Sequence, residues 1–503
     1  MLPADIIANK LIESFSQLNI LQTNPVDRLE INQNSSVKPQ TRNLNDRKIV
    51  SLVSYLTFPL INILAVFACF YLLKNLDFNV VESAYGCLGL IFCSSFLPYA
   101  QTHQENSLDF LMTASGYLFH LLWLITSSYR YLWVGMLALG FNLLVRMTLL
   151  VNLISVNIFT GISFYFFYLR HRDRINLNTL KLTNSPDTED LTENPQPSHF
   201  NRFSGVLNTV FKYLAIALFI YGIAFGIDRF YQWLRFDDLT SNYTVIWAKQ
   251  VKEIYPHLPK NFPFSNDFKT GFFGFLFSAD RSLFLFNPLI IVTAYISIKN
   301  WHKISYQIRG LILSLIFLLL ATICIYSSWF LWGGAGAWGS RYTTTSSQLL
   351  SLLAIPLAMK FPLKSKFEQL GFNVLVLISG LIQASAVILD ANLELAQNLF
   401  RNSELIENNY PASQVSFTIG QRFINIWALM IGKFDQWNLR PPNLSPQESQ
   451  DFTTIAFFPW RNASNLLSPN IVLVLQLIWI FLLIILIFLI YRLTRICKYS
   501  SPQ

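Results

Sequence analysis

The chain has 503 residues, 53% of them hydrophobic and 13% charged, with a formal net charge of +9. A soluble domain carries about a quarter charged residues, so the composition excludes an ordinary soluble protein and points to a multi-pass membrane protein. The basic balance does not require a nucleic-acid partner, because membrane proteins collect Lys and Arg on their cytoplasmic edges, and no basic patch interleaved with aromatics occurs.

The first residues, around Leu2, Pro3 and Asp5, carry no basic n-region, long apolar core or small-residue cleavage site, so they read as neither a signal peptide nor a span. Residues 20–49 are polar and without period, and read as a loop. A span takes roughly 20 apolar residues, fewer where a helix is short or broken. The candidates are 50–73, 82–99, 109–127, 131–145, 147–169, 209–228, 284–298, 310–327, 343–359, 370–390 and 471–491. The pair flanking Arg146 can also be read as one long kinked helix. The expected fold is therefore all-α, a polytopic transmembrane helical bundle of about eleven spans. Cys69, Cys87, Cys93 and Cys324 lie in apolar runs and Cys497 in the tail, with neither disulfide nor metal-ligand spacing. They read as packing residues.

Short loops give the orientation, since Lys and Arg mark the cytoplasm. Lys299, Lys303 and Arg309, then Lys360, Lys364 and Lys366, then Arg492, Arg495 and Lys498 fall on one side of such a bundle. That puts the C-terminus inside and 1–49 outside, as an outer-loop remnant. The remaining organisation is an N-terminal transmembrane module (50–169), a disordered cytoplasmic linker (170–208) and a C-terminal transmembrane module (209–390) with outer loops 229–283 and 326–342. An outer subdomain (391–470), with an amphipathic piece near 423–431, and the last span with its tail (471–503) complete it.

Four features on the expected outer face carry chemistry. His103 and Glu105 follow the second span, and a carboxylate beside an imidazole can act as a general base or hold a divalent ion; a plain hydrophilic loop is the plainer reading of their spacing. Arg146 sits inside a long apolar region, where an arginine costs a few kcal/mol unless it snorkels, pairs or lines a wet cavity. Asp280 and Arg281 stand at the mouth of a span, behind a phenylalanine-rich approach, and also suit a simple mutual pair. The fourth is the loop 326–342, in which Trp329, Trp332, Gly333, Gly334, Gly339 and Arg341 combine interfacial rings, flexible backbone and a planar donor fork suited to phosphate. An aromatic belt with a stop-transfer arginine is the plainer reading of that loop.

Trp332, Gly333 and Gly334, followed by Gly339, Ser340, Arg341 and Tyr342, resemble the tryptophan–glycine–arginine loop of GT-C glycosyltransferases, polytopic enzymes that take sugars from polyprenyl-phosphate carriers, such as protein mannosyltransferases and aminoarabinose transferases. Gly135 to Thr148 resembles the family's glycine segment ending in a basic residue, here Arg146. The stretch from Phe275 to Phe284 is similar to a bacterial segment of the group, with Ala279, Asp280 and Ser282 where proline or glycine is usual. Against that pattern the chain begins inside a proline-containing helix, without the first span and first acidic motif. An upstream start or a shortened, inactive paralogue are the two expectations.

The resemblance implies a bacterial plasma-membrane enzyme that moves a sugar from a polyprenyl-phosphate-linked donor in the membrane lipid to an acceptor on the outer face. Arg146, Arg341, Trp332, Gly333, Gly334 and Arg281 would hold the donor, and Glu105 with His103 would activate the acceptor or bind a divalent metal. A transporter or flippase for a lipid-linked saccharide would use the same arginines without a base, and an inactive scaffold would use neither.

Overall fold

The computed structural model describes residues 44–101, 105–183, 199–240, 243–334, 337–389, 393–394, 397, 418–441 and 469–500. Among them the chain is helical, with no strand. The helices are α1 (Leu44–Asn75), α2 (Val80–Cys93), α3 (Phe96–Ala100), α4 (Asn106–Thr126), α5 (Tyr129–Val145), α6 (Leu150–Thr183) and α7 (His199–Phe236). They continue as α8 (Tyr243–Ile254), α9 (Phe268–Phe277), α10 (Leu283–Phe286), α11 (Leu289–Lys299) and α12 (Tyr306–Ser327). The series ends with α13 (Thr344–Leu352), α14 (Ala354–Lys360), α15 (Lys366–Ile388), α16 (Ile419–Met430) and α17 (Pro469–Ser500).

Seven described helices are long and apolar enough to cross a membrane: Thr57–Asn75, Asn106–Thr126, Met147–Phe166, Val206–Phe236, Tyr306–Ser327, Lys366–Ile388 and Pro469–Arg495. Among the described residues the expected count of about eleven is not confirmed. The segments 82–99, 131–145, 284–298 and 343–359 form helices of 14, 17, 11 and 9 residues, the last followed by one of 7. At 1.5 Å per residue none reaches the ~30 Å of a hydrocarbon core. All nine residues of α13 are buried, whereas α2, α5 and α11 keep an exposed apolar face, with Val80, Leu137 and Ile298 among its residues. The segment around Arg146 is two helices rather than one kinked rod. The linker expected to be disordered over 170–208 is helical over 170–183 and 199–208, as extensions of α6 and α7, while 184–198 lies outside the described residues. So do 1–43 and most of 391–470.

The chain divides into two compact units, one of Asn62–Gln383 with Asn402–Ile419 and one of Met1–Ile61, Ala384–Arg401 and Gly420–Gln503. In the smaller unit Leu389, Leu393, Ala428, Phe434 and Leu439 form an apolar cluster. Beside it Arg422, 1% exposed, meets Glu394 at 2.9 Å and donates to Leu389 O at 2.9 Å. A buried guanidinium is tolerable only with such partners.

In the larger unit α4 packs on α5 and α6, α5 on α7, and α6 on α12. Phe166 stacks on Tyr306 at 4.6 Å, which fixes the far end of α6 against the start of α12. Lys299 pairs with Glu368 at that same end, so the lysine-bearing loops on either side of α12–α14 are neighbours. The opposite end gathers the start of α4, the break between α5 and α6, the end of α12 and the loop into α13. There α9 presses on the last turn of α12. A Cβ on Gly271 would lie 2.1 Å from Ser327 O and 2.6 Å from Ser327 Cα, backbone atoms that cannot swing aside. Gly271→Ala is expected to destabilise the fold by about 3 kcal/mol; an unchanged melting temperature in detergent would contradict this packing.

Candidate functional site

The site is built at the end of the larger unit where three chain segments stop being regular. Helix α5 ends at Val145, Arg146 takes an extended conformation (φ −162°, ψ 126°), and a 3-10 turn over Met147–Leu149 leads into α6. This break presents the Arg146 side chain rather than wrapping it onto a helix face. Glu105 is the residue before α4, and Asp109 lies in that helix's first turn. The third segment is the loop from α12 to α13. It turns through Gly334 (φ +87°) and Gly339 (φ +65°), conformations that other residues rarely adopt. A Cβ on Gly334 would stand 2.7 Å from Arg341 Cγ, so the loop folds directly over that arginine.

Together these segments surround a small cleft open to solvent, lined by Glu105, Asp109, Arg146, Arg341, Tyr326 and Tyr342 among others, with the apolar Leu149, Val151, Leu318 and Ile325 also in its lining. The Tyr342 ring organises the polar half. It stacks on Tyr326 with centroids 3.8 Å apart and planes 9° apart. The Arg146 and Arg341 guanidinium carbons lie 5.7 and 5.3 Å from its centroid, within cation–π range. Arg146 Nη2 also reaches Glu105 Oε1 at 3.4 Å. Tyr326 donates to Thr148 Oγ1 at 2.9 Å, tying α12 to the break in α5–α6.

Arg341 differs from Arg146 in its surroundings. Its Nε is buried without a hydrogen-bond partner. Burial alone would lower its pKa, but Tyr342, by charge and by hydrogen bond, together with Glu105 and Tyr99, turns the net shift upward. The guanidinium is therefore a committed cation with a spare donor.

Asp109 was not among the residues singled out from the sequence. It is 8% exposed, and its two oxygens accept from four side chains, Thr113, Asn142, Asn152 and Thr345. The signal was present. An acidic residue inside an apolar run is costly unless satisfied, and Glu105, Asp109 and Thr113 follow at helical spacing, on one face.

The remaining candidates are placed elsewhere. Arg281 is 3% exposed and donates from Nη1 to Ala337 O at 2.7 Å and Gly339 O at 2.9 Å, with Asp280 at 3.7 Å. Burial pulls its pKa below the ordinary arginine value, and Asp280 opposes that. It braces the loop from behind and does not line the cleft. Gly333 makes room for it, since a Cβ there would stand 2.7 Å from Arg281 Nε. Trp332 also lies off the cleft, with its ring edge-on to Phe275 at 5.4 Å and over Gly274. His103 lies outside the described residues. Among the described residues no three His, Cys, Asp or Glu side chains cluster to hold a metal ion, and Cys69, Cys87, Cys93 and Cys324 are free thiols.

A half-polar, half-apolar cleft with two guanidiniums and a half-exposed carboxylate can hold an anion joined to a greasy chain, and can accept a proton beside it. No protein-family model matches the chain, and neither a curated protein nor a solved structure is significantly similar to it.

Proposed function

We propose that the chain is a membrane glycosyltransferase of the GT-C type that transfers a sugar from a polyprenyl-phosphate carrier to an acceptor at the outer face of a bacterial plasma membrane. The observation that carries this reading is the convergence of Arg146 and Arg341 on one ring, Tyr342, from segments almost 200 positions apart in sequence. Arg146 is paired with Glu105, whereas the buried Nε of Arg341 has no partner among the described residues, and phosphate is the anion that such donor forks suit. The apolar side chains in the same lining, Leu149, Val151, Leu318 and Ile325, suit the first isoprene units.

In this reading the acceptor hydroxyl gives its proton to Glu105, and its oxygen forms a bond to the anomeric carbon. The bond from that carbon to the phosphate oxygen breaks through an oxocarbenium-like state, and the lipid phosphate leaves with one more negative charge than it brought. The two guanidiniums stabilise that charge as it develops, which is where electrostatic catalysis acts. Glu105 is the carboxylate open to the acceptor, 46% exposed and 3.4 Å from Arg146, whereas both oxygens of Asp109 are engaged by the side chains around it.

The test is a mass-spectrometric comparison of cell-envelope glycans with and without the gene, paired with binding of a synthetic prenyl phosphate to the purified protein. Loss of one glycan and prenyl-phosphate binding are expected. Movement of unchanged lipid-linked saccharide with no new glycosidic bond would replace this reading with a transporter.

A further inference from the structure

We infer that Asp109 is a positioning residue that sets Arg146 and Arg341 opposite one another, a role that rests on the proposed anion site. Its Oδ1 accepts from Asn142 Nδ2 at 3.0 Å and from Asn152 Nδ2. These two asparagines stand on either side of the break that presents Arg146, and the Arg146 N–H itself closes back onto Asn142 O at 3.2 Å. Thr113 Oγ1 accepts from both amides, at 3.2 and 2.9 Å, and so is left to donate its own proton to Oδ1 at 3.1 Å. The other oxygen, Oδ2, accepts from Thr345 Oγ1 at 2.6 Å, one helical turn beyond Arg341. One turn back on α4, Asn106 Nδ2 donates to Arg341 O at 3.0 Å and Thr344 Oγ1 at 3.1 Å.

A single turn of α4 therefore staples both arginine-bearing segments, each by its flanking residues and backbone and neither by a guanidinium. The chemistry explains why a carboxylate stands there. Three donors converge on Oδ1 and one on Oδ2, and a carboxylate receives them all without any group reversing its role. Asparagine, equal in shape, keeps the three at Oδ1 and turns its N–H₂ toward Thr345, whose hydroxyl must then reverse to accept. A neutral staple elsewhere in a bundle costs less to bury than a carboxylate; here the carboxylate serves a site whose two cations must be held at fixed separation.

Binding of a synthetic prenyl phosphate to the full chain in nanodiscs tests this, with the melting temperature followed in parallel. Asp109→Ala, which removes all four contacts, is expected to weaken binding about tenfold, a typical cost of loosening the shell behind a binding group. Thr345→Val removes only the contact on the Arg341 side. Its loss, about threefold at the strength of one hydrogen bond, is expected to persist in an Arg146→Ala background and to vanish in an Arg341→Ala background. A merely structural threonine would weaken both backgrounds alike, and that result overturns the inference. Wild-type binding by Asp109→Ala also overturns it while leaving the arginine site standing. Failure of the wild-type protein to bind prenyl phosphate removes the site and this role together.

Discussion

Arg341→Ala is expected to weaken prenyl-phosphate binding and to reduce sugar transfer by about 10²–10³-fold, the loss in turnover seen when one preorganised donor to a developing oxyanion is removed. The fold should survive. What ties position 341 to the rest of the larger unit is its backbone carbonyl, which accepts from Asn106 Nδ2 at 3.0 Å and Thr344 Oγ1 at 2.9 Å, and alanine keeps it. The side chain contributes a cation whose buried Nε has no partner, so its removal relieves a desolvation cost while losing the contact with Tyr342. The melting temperature should therefore stay within about 3 °C of wild type. Arg341→Lys keeps the charge but not the fork, and an intermediate loss is expected. Transfer by Arg341→Ala at more than a third of the wild-type rate would exclude this arginine from the reaction.

The long apolar helices were legible because roughly 20 apolar residues leave a chain few alternatives in either a bilayer or a protein core. The short ones were not. Val80–Cys93 and Leu289–Lys299 are as apolar as a span, and periodicity alone does not separate burial in lipid from burial in protein. Helix α6 runs on to Thr183 through Arg170, Arg172, Asp173 and Arg174, a stretch whose polarity reads as a linker, although nothing in it forbids a helix.

The site was legible in its charges and hidden in its second layer. Arg146 and Arg341 stand out because an arginine in an apolar setting requires a reason. Arg281 stands out on the same grounds, yet the structure gives it a different one, the carbonyls of Ala337 and Gly339. No feature of a single sequence separates an arginine that braces a loop from one that faces a cleft. In the sequence Asp109 stands at the first position of the segment 109–127, where a carboxylate also suits a helix N-terminus. Only the fold brings Asn142, Asn152 and Thr345 to it, from 33, 43 and 236 positions away.

Glu105→Gln is expected to separate binding from turnover. As built, the cleft holds two guanidiniums, Arg146 and Arg341, and two carboxylates, Glu105 and Asp109. A phosphate that enters must compete with an anion already in place. Asp109 is saturated by neutral donors and stays, whereas Glu105 holds Arg146 by one 3.4 Å contact with both side chains partly exposed, at 46% and 32%. Such a pair is worth about 0.2–1 kcal/mol, so glutamine should tighten prenyl-phosphate binding by up to about fivefold at low salt. Transfer should fall in the same variant by about 10²–10⁴-fold, the range for loss of a general base. The variant should thus show a lower KM together with a collapsed kcat, a combination that misfolding does not produce. Transfer at the wild-type rate would move the proton-accepting role away from Glu105. Weaker binding would mean that Glu105 supports the anion site rather than competing for it.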